Sequence, residues 1–244
     1  MNFTKTIFAL AIGSVGIMGA VSASAAAVAS GTTLSIATGA TSSGAATAGT
    51  TSWFAMDNDG NAKIALSEKI AIVQGSTGIV IGQTSASSPN GGGANPKIQG
   101  LIDTTWGFFG AYGSDYVTTG ITQTSATSMN LSGWTVAWNG LAAIPMGTGA
   151  WTPLNAAANG MATAGYANGS AVLNWDGNYG STYKLDYTAT VPLGDPSNFG
   201  GVKYALHLEG VVTAAPVPEA STYGMMMAGL GLVGFMASRR RKSI

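Results

Sequence analysis

Residues 182–191 read TYKLDYTATV. Tyr183, Leu185, Tyr187, Ala189 and Val191 occupy alternate positions, with Lys184, Asp186, Thr188 and Thr190 between them. A period of two puts each set on its own face of an extended strand, one apolar and one polar. Residues 203–212 (KYALHLEGVV) repeat the pattern, with Tyr204, Leu206 and Leu208 on one face and His207 and Glu209 on the other. Further out, residues 131–138 gather Trp134, Val136 and Trp138, and residues 171–175 gather Ala171, Leu173 and Trp175. Gly, Asn and Pro clusters separate these runs, and residues 26–216 hold no long stretch of clean helical period. The expectation is an all-β fold, a sandwich or jelly roll, whose strands are dry on one face and wet on the other. Burying one face of about six strands suffices for a domain of this size without disulfides.

Composition narrows the function classes. The 244 residues hold ten Lys/Arg, ten Asp/Glu, one His and no Cys. Zinc–thiolate sites, disulfides and a Cys nucleophile are excluded. So few cations make a poor binder of phosphate backbones, so nucleic acid is not an expected partner. The net charge of zero is itself a composite. Residues 26–216 carry five Lys against nine carboxylates, an excess of four negative charges, while half of the cations lie near the two ends.

Those ends read as addresses. Lys5, an apolar run over 7–21 and the small-residue exit Ala23-Ser24-Ala25 make residues 1–25 a signal peptide, cut near Ala25 or Ala27 by signal peptidase after passage through the general secretion machinery. Residues 26–52, rich in Gly, Ala, Ser and Thr, are expected to be a flexible lead-in to a passenger domain over 53–215. Residues 216–244 begin with Pro216, Val217, Pro218, Glu219, Ala220 and Ser221, continue as a glycine-containing apolar run, and close on Arg239, Arg240, Arg241 and Lys242. An apolar run stopped by cations predicts a single transmembrane helix with its basic end in the cytoplasm.

This order of motif, apolar helix and basic end resembles the PEP-CTERM sorting signal of Gram-negative bacteria. The same tail circulates under the label of an ice-binding protein C-terminal domain, a label that carries no activity. Ala220 stands where that family usually has Pro. The resemblance implies recognition by exosortase, cleavage near Pro218-Glu219, a transient inner-membrane anchor, and delivery to the envelope, surface or extracellular matrix. Blocks such as residues 102–110 (IDTTWGFFG) and 191–202 (VPLGDPSNFGGV) also resemble a group of PEP-CTERM passengers. That second resemblance implies group membership and no mechanism.

Within the passenger, residues 57–68 (DNDGNAKIALSE) place Asp57, Asp59, Asn61 and Glu68 at positions 1, 3, 5 and 12 of a loop. Closely spaced oxygens closed by a carboxylate suit calcium, the one cofactor the sequence raises. Ala62 departs from the EF-hand pattern, because the sixth position there takes a positive φ that favours glycine. The alternative is a plain hairpin turn at Asn58–Asn61. Trp106, Tyr112 and Trp151 lie in Gly-rich surroundings and are candidate stacking platforms for an exopolysaccharide, against the alternative that they fill the core. His207 is expected to be an exposed strand residue. Asp103, Asp115, Asp176, Asp186 and Asp195 are the carboxylates available for glycan hydrolysis. No catalytic motif stands out. The reading is therefore a non-enzymatic component of the envelope or biofilm matrix, with a carbohydrate-binding module as the alternative and a glycan hydrolase behind it.

Overall fold

The computed structural model describes residues 27–42, 45–46, 49, 51–72, 78–84, 105–108, 111–138, 141–216 and 220–240. The signal peptide expected at 1–25 lies outside them, as do Val217, Pro218, Glu219, Arg241 and Lys242. In chain order the strands begin with β1 (Thr33–Leu34), β2 (Thr41–Ser42), β3 (Ala45–Ala46), β4 (Trp53–Met56) and β5 (Lys69–Ala71). They continue with β6 (Ile79–Val80), β7 (Thr105–Phe108), β8 (Ala111–Val117), β9 (Thr122–Ser125) and β10 (Ser128–Asn130). The last are β11 (Trp134–Trp138), β12 (Leu141–Pro145), β13 (Ser170–Trp175), β14 (Thr182–Thr190) and β15 (Lys203–Thr213). The one α-helix among the described residues, α1, spans Ala220–Arg240.

The larger sheet runs β5-β4-β15-β14-β13-β10-β9, with β1 pairing β15 and β6 pairing β1. A second sheet runs β12-β11-β8-β7, and β2 and β3 form a separate pair. All pairings among the described residues are antiparallel. The β14–β15 ladder sets Leu185 opposite Leu208 and Tyr187 opposite Leu206. Tyr183, Leu185, Tyr187 and Ala189 turn into the main core beside Tyr204, Leu206 and Leu208, as their alternation predicts. From the other sheet, Trp134 meets Tyr187 edge-on, with ring centroids 5.2 Å apart, and Phe54 at 6.1 Å. The two sheets thus stack face to face as a sandwich. Each large apolar side chain buried there stabilises by about 1.5–3 kcal/mol, and each edge-to-face pair adds about 0.5–1.5 kcal/mol.

Two differences from expectation have clear causes. The opposite face of the central strands is wet only in part: Lys184 is exposed, whereas Asp186, Thr188 and His207 are buried. Trp53, Ala55, Ile64, Ala156, Met161 and Ala205 form a second small core there, with Trp151 and Tyr166 packed against it. The covering chain is rich in Ala, Gly and Asn, so it announces no apolar period.

The expected flexible lead-in also contributes to the fold. Thr33 and Leu34 pair with Thr213 and Val212, and Val28, Leu34 and Ile36 are buried in the main core. Ser35 N–H donates to Val211 O at 2.9 Å and Ala37 N–H to Glu209 O at 2.7 Å. Gly210 makes the approach feasible, because a Cβ there would sit 1.8 Å from Ser35 O.

The 21-residue helix α1 is about 31 Å long by its rise. Its large apolar side chains, Met225 and Phe235 among them, stand exposed. Among the described residues, no helix is long and apolar enough to cross a membrane. Gly224, Gly229, Gly231 and Gly234, with Ser221, Thr222 and two arginines, dilute the apolar run.

Candidate functional site

Residues 57–68 join β4 to β5, which are antiparallel neighbours. The loop therefore closes a long hairpin flanked by strands, not a pair of helices. Asp57 and Glu68 are buried and Asp59 is exposed, and one carboxylate oxygen from each lies within 4.8 Å of the others. Glu68 is pinned by two backbone donors: Asn58 N–H to Oε1 and Ala65 N–H to Oε2, both at 2.8 Å. Asp57 Oδ2 accepts Ala62 N–H at 3.0 Å and lies 4.0 Å from Lys203 Nζ. Its Oδ1 is buried and has no hydrogen-bond partner.

Three of the four predicted ligands thus converge. Asn61 instead braces Asp59, donating from its backbone at 3.1 Å and from Nδ2 at 2.6 Å, while its Oδ1 accepts Lys63 N–H at 2.7 Å. Ala62 takes φ +59°. The alanine thus adopts the left-handed conformation that the loop position calls for, at a cost of about 1–2 kcal/mol. The loop is fastened to the second core by Asn155, whose amide accepts Ile64 N–H and donates to Ile64 O, each at 3.0 Å.

The second polar cluster is one that sequence reasoning missed. Strand register sets Asp186 directly opposite His207 and Lys184 opposite Glu209. His207 Nδ1 lies 2.5 Å from Asp186 Oδ1, and Nε2 lies 3.1 Å from Glu209 Oε1. Carboxylates accept hydrogen bonds, so a ring nitrogen facing one donates when it carries the proton. Asp186 Oδ2 accepts Ala162 N–H at 2.9 Å, and Lys184 Nζ reaches Glu209 Oε1 at 2.7 Å. Burial pushes the Glu209 carboxyl up, but the hydrogen bonds and charges of Lys184 and His207 outweigh it and hold the group below its usual value. The imidazole stacks on Trp53 at 5.5 Å, and Lys69 Nζ sits 4.2 Å from that indole ring. His207 is buried rather than exposed, and both ring nitrogens are engaged inside the protein. The available signal was that His207 and Asp186 share the polar faces of two long strands that pair.

The aromatic candidates separate. The Trp151 indole N–H donates to Tyr204 O at 2.8 Å and Ala189 O at 3.1 Å, and Lys203 Nζ lies 5.6 Å from its ring. That ring caps the second core instead of standing free. Trp106 lies in β7 and Tyr112 in β8, and their side chains are outside the described residues. Asp103 lies outside the described residues, and so does the side chain of Asp115. Asp176 and Asp195 each close a local turn, accepting Asn178 N–H at 2.8 Å and Ser197 N–H at 2.9 Å. Asp186 is held by His207.

Residues 216–242 match the profile described as the PEP-CTERM protein-sorting motif. The chain carries a PEP-CTERM sorting domain. Within that PEP-CTERM segment, Ala220 and Ser221 open α1, and Arg239 and Arg240 close it. No curated protein and no solved structure matches the chain. A PEP-CTERM motif implies export, processing by exosortase at the membrane, and a surface or extracellular destination.

Proposed function

We propose that this PEP-CTERM protein is a non-enzymatic component of the envelope or exopolysaccharide matrix. In this reading the general secretion machinery exports it, signal peptidase trims its N-terminus, and α1 holds it briefly at the inner membrane until exosortase releases it. The observation that carries the reading is the sorting motif at residues 216–242. The engagement of the single histidine supports a non-catalytic passenger. A general base must reach a substrate proton, and His207 is spent on Asp186 and Glu209.

Mass spectrometry of the mature chain, with and without exosortase in the host, tests the sorting. The expected product outside the inner membrane ends near Pro218 when exosortase is present. Chains that retain residues 239–242 outside that membrane would contradict it. Depolymerisation of the host exopolysaccharide by the purified protein would overturn the non-enzymatic part.

A further inference from the structure

We infer that Asp57, Asp59 and Glu68 form a divalent-cation site of the calcium class that locks the β4–β5 hairpin. Three carboxylates converge within 4.8 Å. The one ion pair recorded to them among the described residues is Lys203, at 4.0 Å from Asp57 Oδ2. That leaves an excess of two negative charges, the complement of a divalent ion.

The decisive atom is Asp57 Oδ1. Its side chain is 1% exposed, and this oxygen has no hydrogen-bond partner. A buried carboxylate oxygen without a partner is costly to desolvate. A cation bound at the cluster satisfies it. Asp57 Oδ2 is already committed to Ala62 N–H, and both Glu68 oxygens are fixed by backbone donors. The donors are thus oriented before any ion arrives.

All the donors are oxygens, and Gly60 sits beside Asp59 in the loop. Calcium accepts about six to eight oxygens in adaptable geometry, whereas magnesium demands a near-ideal octahedron and keeps its waters. Water and loop carbonyls complete the shell. The way in is an open cleft between Asp57, Asp59 and Gly60 on one side and Gly200, Gly201 and Lys203 on the other. Three glycines in its wall leave room for an ion to reach a buried carboxylate. Asp57 follows the last residue of β4 and Glu68 precedes the first of β5, so a bound ion ties both strand ends together. Export implies an environment where calcium is plentiful, and extracellular modules bind it at about 10⁻⁴–10⁻³ M.

The test uses the full chain in detergent, stripped with a chelator and titrated separately with calcium and magnesium chloride. Calorimetry is expected to show one saturable calcium site in that range. The thermal midpoint is expected to rise with calcium concentration, with a smaller rise for magnesium. Asp59→Asn gives up an Asn61 hydrogen bond and relieves repulsion among the carboxylates, so it is judged on its calcium response, which should disappear while its far-UV circular dichroism matches the parent. Three outcomes would each overturn the site. One is no heat and no midpoint shift at about 10⁻² M calcium, tenfold above that range, as expected if water alone satisfies Asp57. The second is an Asp59→Asn chain that responds like the parent. The third is an equal response to both ions.

Discussion

Asp186 and His207 meet because the β14–β15 register sets them face to face, and the carboxylates on either side of the ring are a consequence of strand pairing. At this scale Glu209 makes the clearest prediction. Its carboxyl is held below the ordinary value of 4.5 in the folded state. A group whose folded pKa is depressed stabilises fully above its unfolded value and loses that stabilisation as pH falls through the folded one. Urea unfolding midpoints of the parent and Glu209→Gln should therefore differ most above the ordinary value of 4.5 and converge as pH falls below it. A difference that stays constant across that window would contradict the account. Single residues were unevenly legible in the sequence. The spacing of Asp57, Asp59 and Glu68 was readable because loop ligands recur at short fixed intervals. The burial of His207 was not, because it depends on chain arriving from 151–166 to cover a face that alternation alone marks as wet.

At the level of elements, β15 organises the passenger by pairing with β14, β4 and β1 at once. The pairing with β1 depends on Gly210, where an added Cβ would press within 1.8 Å of Ser35 O and 2.7 Å of its carbonyl carbon. Gly210→Ala should destabilise the fold by about 1–3 kcal/mol, the usual cost of forcing an atom into a packed site. Limited proteolysis should then cut near residues 28–37 first. Unchanged stability and protection would mean that β1 is dispensable. The long strands were legible because period two survives in aromatic and aliphatic residues. β1 was hidden because Leu34 and Ile36 sit amid Gly, Ala, Ser and Thr, which blur any pattern. The two-residue strands leave too short a run for periodicity to register.

For the whole molecule, passenger and tail solve opposite problems: one buries its apolar surface, and the other displays it. The tail's glycines contact nothing, since a Cβ at Gly229 or Gly231 would meet no atom within 4 Å. They leave α1 only moderately apolar, which on the proposed reading suits a temporary hold at the membrane. Replacing both with leucine should add about −0.5 kcal/mol of insertion free energy per site. In a pulse–chase experiment the double variant should stay longer in the membrane fraction and yield processed product more slowly. Parental kinetics would argue that hydropathy does not time release. The position of β15 bears on timing in another way. It is the last strand before the tail, yet β1, β4 and β14 all pair against it, and Thr33 must wait for Thr213. Pairing between such distant residues is intrinsically slow, because the whole intervening loop must close first. A chain threaded through the membrane from its N-terminus cannot complete its central sheet until residues 203–213 have crossed. The central sheet is thus closed by the segment next to the tail, so a chain exported N-terminus first would complete its fold only as the sorting signal follows it to the membrane.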